Sequence, residues 1–85
     1  MYENFTCFAV KELDFTNDKG EKIKGRNIFL GQPTKERGWQ GMSCEKFYVS
    51  ADSPAYGAYV PKSGEQVIVE FNRYGKIQAI SPAVN

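Results

Sequence analysis

The chain has 85 residues, a net charge of +1, no histidine and two cysteines, Cys7 and Cys44, which bounds it to one domain, residues 1–85, with a modest core. Without histidine the commonest general base and metal ligand are missing, and two cysteines lacking a CxxC spacing make neither a disulfide scaffold nor a structural zinc site, so no catalytic residue, metal or cofactor is expected. Met1-Tyr2-Glu3-Asn4 has neither the basic start nor the apolar core of a signal peptide, and no apolar run nears the ~18 residues of a membrane span, so a cytoplasmic protein with no membrane partner is expected.

Phe5 to Phe15 alternates as a long strand, with Phe5, Cys7, Ala9, Leu13 and Phe15 on one face and Thr6, Phe8 and Val10 on the other. Asn17-Asp18-Lys19-Gly20 is a turn. Glu21 to Leu30 returns as a second strand, with Lys22, Lys24 and Arg26 on one side and Ile23 and Phe29 on the other. Gly25 inside it marks a bulge or a sharp coil, as in small closed barrels. Gly31 to Gly41 reads as an exposed loop or distorted hairpin with Trp39 at its far end. Met42 to Ser50 is a third strand, Phe47 and Val49 facing one way and Met42, Cys44 and Tyr48 the other. Ala51 to Lys62 is irregular, with room for one helical turn, and Pro61-Lys62-Ser63-Gly64 is a turn. Gly64 to Ile80 is a hairpin: Val67, Val69 and Phe71 alternate with Gln66, Ile68 and Glu70, Asn72-Arg73-Tyr74-Gly75 turns, and Ile77 and Ile80 belong to the return strand.

Five strands with almost no helix predict an all-β fold. Coiling them into a small antiparallel OB-type barrel, with the C-terminal hairpin protruding, would cover the face and edges that a flat sheet exposes.

Enzyme chemistry finds no support, since no Ser/His/Asp or Cys/His set can form and no phosphate-cradling glycine pattern is present. Charge is unevenly placed: residues 1–18 hold four acids and one base, and residues 19–85 hold six acids and ten bases, which allows a basic face. Lys22, Lys24 and Arg26 follow one another about 6.6 Å apart along one side of their strand, near the spacing of successive phosphates. That row is either a binding face or a solvated one. Arg73, Tyr74 and Lys76 put cations and a ring at a hairpin tip, unless the tip is an ordinary exposed turn. Lys35, Arg37 and Trp39 form a third group, in which Trp39 is either a stacking platform or a lid under its loop. Tyr48, Tyr56 and Tyr59 fit the core or an interface rim. Aromatic residues make up 14% of the chain, more than so small a core can hide, so some rings serve an interface.

Phe15-Thr16-Asn17-Asp18-Lys19-Gly20 followed by Lys24-Gly25-Arg26, then Ser53-Pro54-Ala55-Tyr56, Arg73-Tyr74-Gly75 and Ser81-Pro82-Ala83, resemble segments of the gene V-type single-stranded-DNA-binding (helix-destabilising) proteins of filamentous phages. The resemblance implies an OB-type barrel, a homodimer formed through the C-terminal hairpin, and a role in coating single strands during replication of a phage or plasmid-like element. It implies Tyr74 as a ring stacked on a base held mainly by the partner subunit, and Arg26 as a phosphate contact after the Gly25 step. The sequence departs from the family at Ile28, where the family has a tyrosine nearby, and over residues 31–41.

The expectation is therefore a sequence-tolerant binder of single-stranded DNA, with RNA as a variant ligand. Its contacts would be Lys22, Lys24, Arg26, Arg37, Arg73 and Lys76 for phosphates and Tyr74, Phe29 and Trp39 for bases. The alternative is a small β-barrel that docks protein through an open edge and the aromatic loop 51–60, without nucleic-acid binding.

Overall fold

The computed structural model describes residues 2–34 and 36–83. Its elements are β1 (Tyr2–Thr16), β2 (Lys22–Pro33), β3 (Met42–Ser50), α1 (Pro54–Ala58), β4 (Gln66–Phe71) and β5 (Ile77–Pro82). They form a five-stranded antiparallel sheet in the order β3-β2-β1-β4-β5, so the fold is all-β.

β1 serves two partners in succession: Tyr2–Thr6 pair with β4, and Thr6–Thr16 pair with β2. β2 continues to Pro33, three residues beyond the expected end at Leu30, because Gly31, Gln32 and Pro33 pair with Cys44, Ser43 and Met42. Past Gly25 and Ser50, the last pair of the β2–β3 ladder, β1 and β2 run on as a ribbon around Asn17–Gly20. The C-terminal hairpin is paired along β4 and β5, and only the turn 72–76 lies beyond its ladder. The longer protrusion is the β1–β2 ribbon.

The sheet is not closed into a barrel. β3 and β5 approach one another, but no ladder joins them among the described residues. A cleft lined by Phe47 and Phe71 lies between β3 and the β4–β5 turn, and two rings need more room than the ~4.8 Å between paired strands.

The inner face gathers the core: Phe5 and Cys7 of β1, Ile28 and Leu30 of β2, Val49 of β3, Val67 and Val69 of β4, and Ile77 and Ile80 of β5. Burying each of the larger aliphatic side chains contributes ~1.5–3 kcal/mol. Burial also pushes the Cys7 thiol above its ordinary range, so this cysteine is packing. Helix α1 packs against β5 and β3 and buries Ala55. Pro54 stands in its first turn, and the Ser53 hydroxyl caps it by accepting from the Ala55 amide.

One irregularity decides which residues face outward. The register of β1 on β2 shifts between Cys7 and Ala9, making Phe8 the extra residue of a β-bulge. The Ser63 hydroxyl holds the bulge by donating to the Phe8 carbonyl at 2.9 Å. Before the bulge the odd residues Phe5 and Cys7 face the core. After it the even residues do, so Ala9, Lys11, Leu13 and Phe15 lie on the outer face and not, as straight alternation predicts, with Phe5 and Cys7.

The β1–β2 and β4–β5 turns share one construction. Asn17 Oδ1 accepts from the amides of Lys19 and Glu21, and Asn72 Oδ1 accepts from those of Tyr74 and Lys76. Each turn closes with a glycine at positive φ, Gly20 at 80° and Gly75 at 78°. Among the described residues, no helix is long and apolar enough to cross a membrane.

Candidate functional site

The outer surface of β1, β2 and β3 is an uncovered sheet face rich in rings. Phe8, Phe15 and Tyr48 are 41%, 50% and 46% exposed, and Phe29 is half-buried among them. The register aligns them in rows: Lys11, Asn27 and Tyr48 in one, Ala9, Phe29 and Lys46 in the next. Adjacent rows on one face lie ~6.6 Å apart. Two lysines therefore flank Phe29 and Tyr48 from opposite edges. From Phe8 to Phe15, Ile23 to Gly31 and Cys44 to Ser50, the register puts every acidic residue on the other face, so this one carries no carboxylate.

Two glycines bring rings down onto this sheet. A Cβ on Gly31 would run into the ring of Phe8, and a Cβ on Gly25 would sit 2.7 Å from the Tyr48 hydroxyl and 2.5 Å from the Val49 carbonyl oxygen. Tyr48 lies across Gly25, its hydroxyl donating to the Lys24 carbonyl at 3.3 Å. The role expected of Gly25 as a bulge or coil is thus replaced by a close ring approach.

The basic row expected on β2 keeps to one side of its strand, but that is the inner side, and its last member is buried. Arg26 is 5% exposed and fully engaged on the inner side. Its Nε donates to Glu12 at 2.7 Å, Nη2 donates to the other Glu12 oxygen at 3.2 Å, and Nη1 donates to the Tyr56 carbonyl at 2.6 Å. The guanidinium also stacks 3.9 Å from the Tyr56 ring centroid. The hydrogen bond from Arg26 holds the Glu12 carboxyl below the usual carboxylate range, and the same bond raises Arg26 further. Arg26 is thus the clamp that ties the β1–β2 ribbon to α1: three of its five N–H donors are engaged and its burial keeps the others from a phosphate. Its alternation partners Ile28 and Leu30 are core, so the whole row shares the inner side. Lys22 and Lys24 are exposed only because the ribbon runs beyond the body.

Arg37 and Trp39 are exposed in the 34–41 loop, and Trp39, 52% exposed, is no lid. Lys35 lies outside the described residues. At the β4–β5 turn Tyr74 is 72% exposed, with the Arg73 guanidinium 5.1 Å from its ring centroid. Lys76 is exposed beside them and shares a shallow depression with Tyr48, Ser50 and Asn72. This depression brings the turn to the edge of the outer face at Tyr48.

On the inner side, between β3 and the same turn, is a cleft of about 640 Å³. Phe5, Phe47 and Phe71 form its apolar floor and walls, and Glu3, Glu45 and Arg73 are on its rim. The 51–60 loop, in contrast, turns its rings inward. Tyr56 covers Arg26, and the Tyr59 hydroxyl donates to the Glu65 carboxylate. That bond pushes the Tyr59 phenol up to about 12 and lowers Glu65. Among the described residues no group of His, Cys, Asp and Glu could hold a metal.

Sequence reading missed Lys11, Lys46, Phe8, Phe15 and Tyr48 as members of one face. A signal was present: unbroken alternation puts Lys11 in the row of Phe5, Cys7 and Leu13, and a lysine within an apolar row marks a register break. No protein-family model matches the chain, and neither a curated protein nor a solved structure matches it.

Proposed function

We propose that the chain is a non-catalytic, cytoplasmic protein that coats single-stranded DNA with little regard to sequence. The observation that carries this reading is the carboxylate-free outer face of β1–β3, where Phe29 and Tyr48 lie between Lys11 and Lys46. Nucleobases stack on exposed rings, each contributing ~1–3 kcal/mol, and lysines displace the counterions of the phosphates. Phe8 and Phe15 extend the platform along the strands, and Lys76, Arg73 and Tyr74 extend it past Tyr48. Lys22 and Lys24 on the ribbon, with Arg37 and Trp39 on their loop, add outlying contacts. Arg26 has no part in binding. The reading agrees with the function implied by the resemblance to gene V-type proteins, including service to a phage or plasmid-like element and dimerisation through the C-terminal hairpin. The unpaired outer edge of β5 leaves that hairpin free to pair.

The test is fluorescence anisotropy of labelled oligo-dT at two salt concentrations, with duplex DNA as the control and oligo-U as the RNA comparison. Single-strand binding that weakens with salt, and weakens further in Phe29→Ala and Lys46→Ala, is the expected result. Absence of binding at low salt would overturn the proposal, and so would full affinity in both variants. Sedimentation of the unliganded protein reads the dimer. The protein-docking alternative loses its aromatic loop, since Tyr56 and Tyr59 are engaged within the fold.

A further inference from the structure

The inner cleft differs in chemistry from the outer platform. Two carboxylates, Glu3 and Glu45, stand at its rim, and among the described residues neither makes an ion pair or a side-chain hydrogen bond. Arg73, on the same rim, has no carboxylate partner among the described residues. Phe5 closes the floor at 6% exposure. Phe47 and Phe71, each half-buried with ring centroids 5.3 Å apart, pack on one another and on Phe5 and make one continuous aromatic surface. The volume of about 640 Å³ falls within the ~300–1,000 Å³ of small-ligand pockets.

A run of phosphates does not belong beside two carboxylates. A single flat base does, if its edge donates to them and its own phosphate stays at the mouth near Arg73. Of the common bases guanine alone offers two adjacent donors, N1–H and the N2 amine, that match the two oxygens of one carboxylate. The amines of adenine and cytosine sit beside ring-nitrogen acceptors, and the lone N–H of thymine is flanked by two carbonyls. A route from the platform exists along the β3 edge: Tyr48 and Lys76 border the shallow depression, and Asn72 lines both the depression and the cleft.

We propose that the cleft between β3 and the β4–β5 turn is a nucleobase pocket that accepts one guanine of a strand bound on the outer platform, with a rim glutamate as the acceptor and the surface of Phe47 and Phe71 as the platform the base lies on. The inference rests on the single-strand reading above. It gives an otherwise sequence-tolerant protein one position of preference.

The experiment compares three labelled strands: all-thymine, thymine with one central guanine, and thymine with one central hypoxanthine, which lacks the N2 amine. The guanine strand is expected to bind roughly tenfold more tightly than the all-thymine strand, the worth of a charge-assisted hydrogen bond, and the hypoxanthine strand to fall between them. The double variant Glu3→Gln, Glu45→Gln is expected to erase the advantage and leave all-thymine affinity within a factor of two of the parent, apart from the small gain that removing negative charge brings. Equal binding of guanine and thymine strands, or an advantage that survives the double variant, overturns the pocket while the platform stands, and leaves the cleft to a protein segment. Failure of every strand to bind overturns the platform and the pocket together.

Discussion

Replacing Arg26 with alanine separates a clamp from a phosphate contact. The loss has three parts. The ion pair with Glu12 is worth ~0.5–1 kcal/mol, at the level of surface pairs, because the Glu12 side chain is 56% exposed. The charge-assisted bond to the Tyr56 carbonyl is worth ~1.5–2 kcal/mol. Stacking on the Tyr56 ring adds ~0.5–1 kcal/mol. Together they come to about 3 kcal/mol, a large share of the ~4–13 kcal/mol total stability of a domain of this length. With a urea slope of ~1–1.5 kcal/mol/M, the unfolding midpoint drops by about 2–3 M. The assay is urea unfolding followed by circular dichroism, alongside anisotropy with oligo-dT under conditions where the variant is folded. The reasoning predicts a lowered midpoint and unchanged affinity. An unchanged midpoint with weakened binding would refute it and restore Arg26 to the interface.

Gly25→Ala and Gly31→Ala should fail in different ways. The first pushes a Cβ against the Val49 carbonyl and costs ~1–3 kcal/mol in unfolding. The second displaces the exposed Phe8 ring, so oligo-dT affinity falls with little change in the midpoint. Glu12 and Glu65 are held below the ordinary carboxylate value of 4.5, so the stability they contribute is present above that value and is lost as pH falls through their folded values, which a urea titration series from pH 7 to pH 2 reads as a falling midpoint. Tyr59 has the opposite sign: raised from 10.0 to about 12, it contributes stability below pH 10 that disappears as pH rises through 12, and Tyr59→Phe removes that alkaline limb. Lys11→Ala and Lys46→Ala should each flatten the plot of log affinity against log salt by ~0.7, the single-strand slope per phosphate contact.

Local pattern carried much of this fold. Met42 to Ser50 is a strand with the expected bounds and faces, the single turn of α1 sits inside 51–62, and the Val67-Val69-Phe71 row faces the core. These features depend on neighbours within a few residues. Closure of the sheet does not, since it depends on how near β3 comes to β5, which no alternation encodes. The site was legible only in pieces. Phe29, Arg73, Tyr74 and Lys76 could be picked out singly, but their arrangement depends on the Phe8 bulge, which turns Lys11 and Phe15 outward. Arg26 misled because a basic row at spacing two looks the same whether it faces solvent or the core. The residues that decide between the two are its partners by parity, Ile28 and Leu30.

The twin turns have a consequence for how this chain can vary. In Asn17-Asp18-Lys19-Gly20 and Asn72-Arg73-Tyr74-Gly75 the first and last residues supply the side-chain cap and the positive φ, while the middle pair contribute only a backbone amide, from Lys19 or Tyr74, and no side chain to the capping bonds. The backbone constrains the side chains of those two positions little, asking only that the second keep an N–H and so not be proline. Each tip is an interchangeable cassette: one now holds an acid and a lysine, the other an arginine and a tyrosine, and selection can rewrite either without renegotiating the fold.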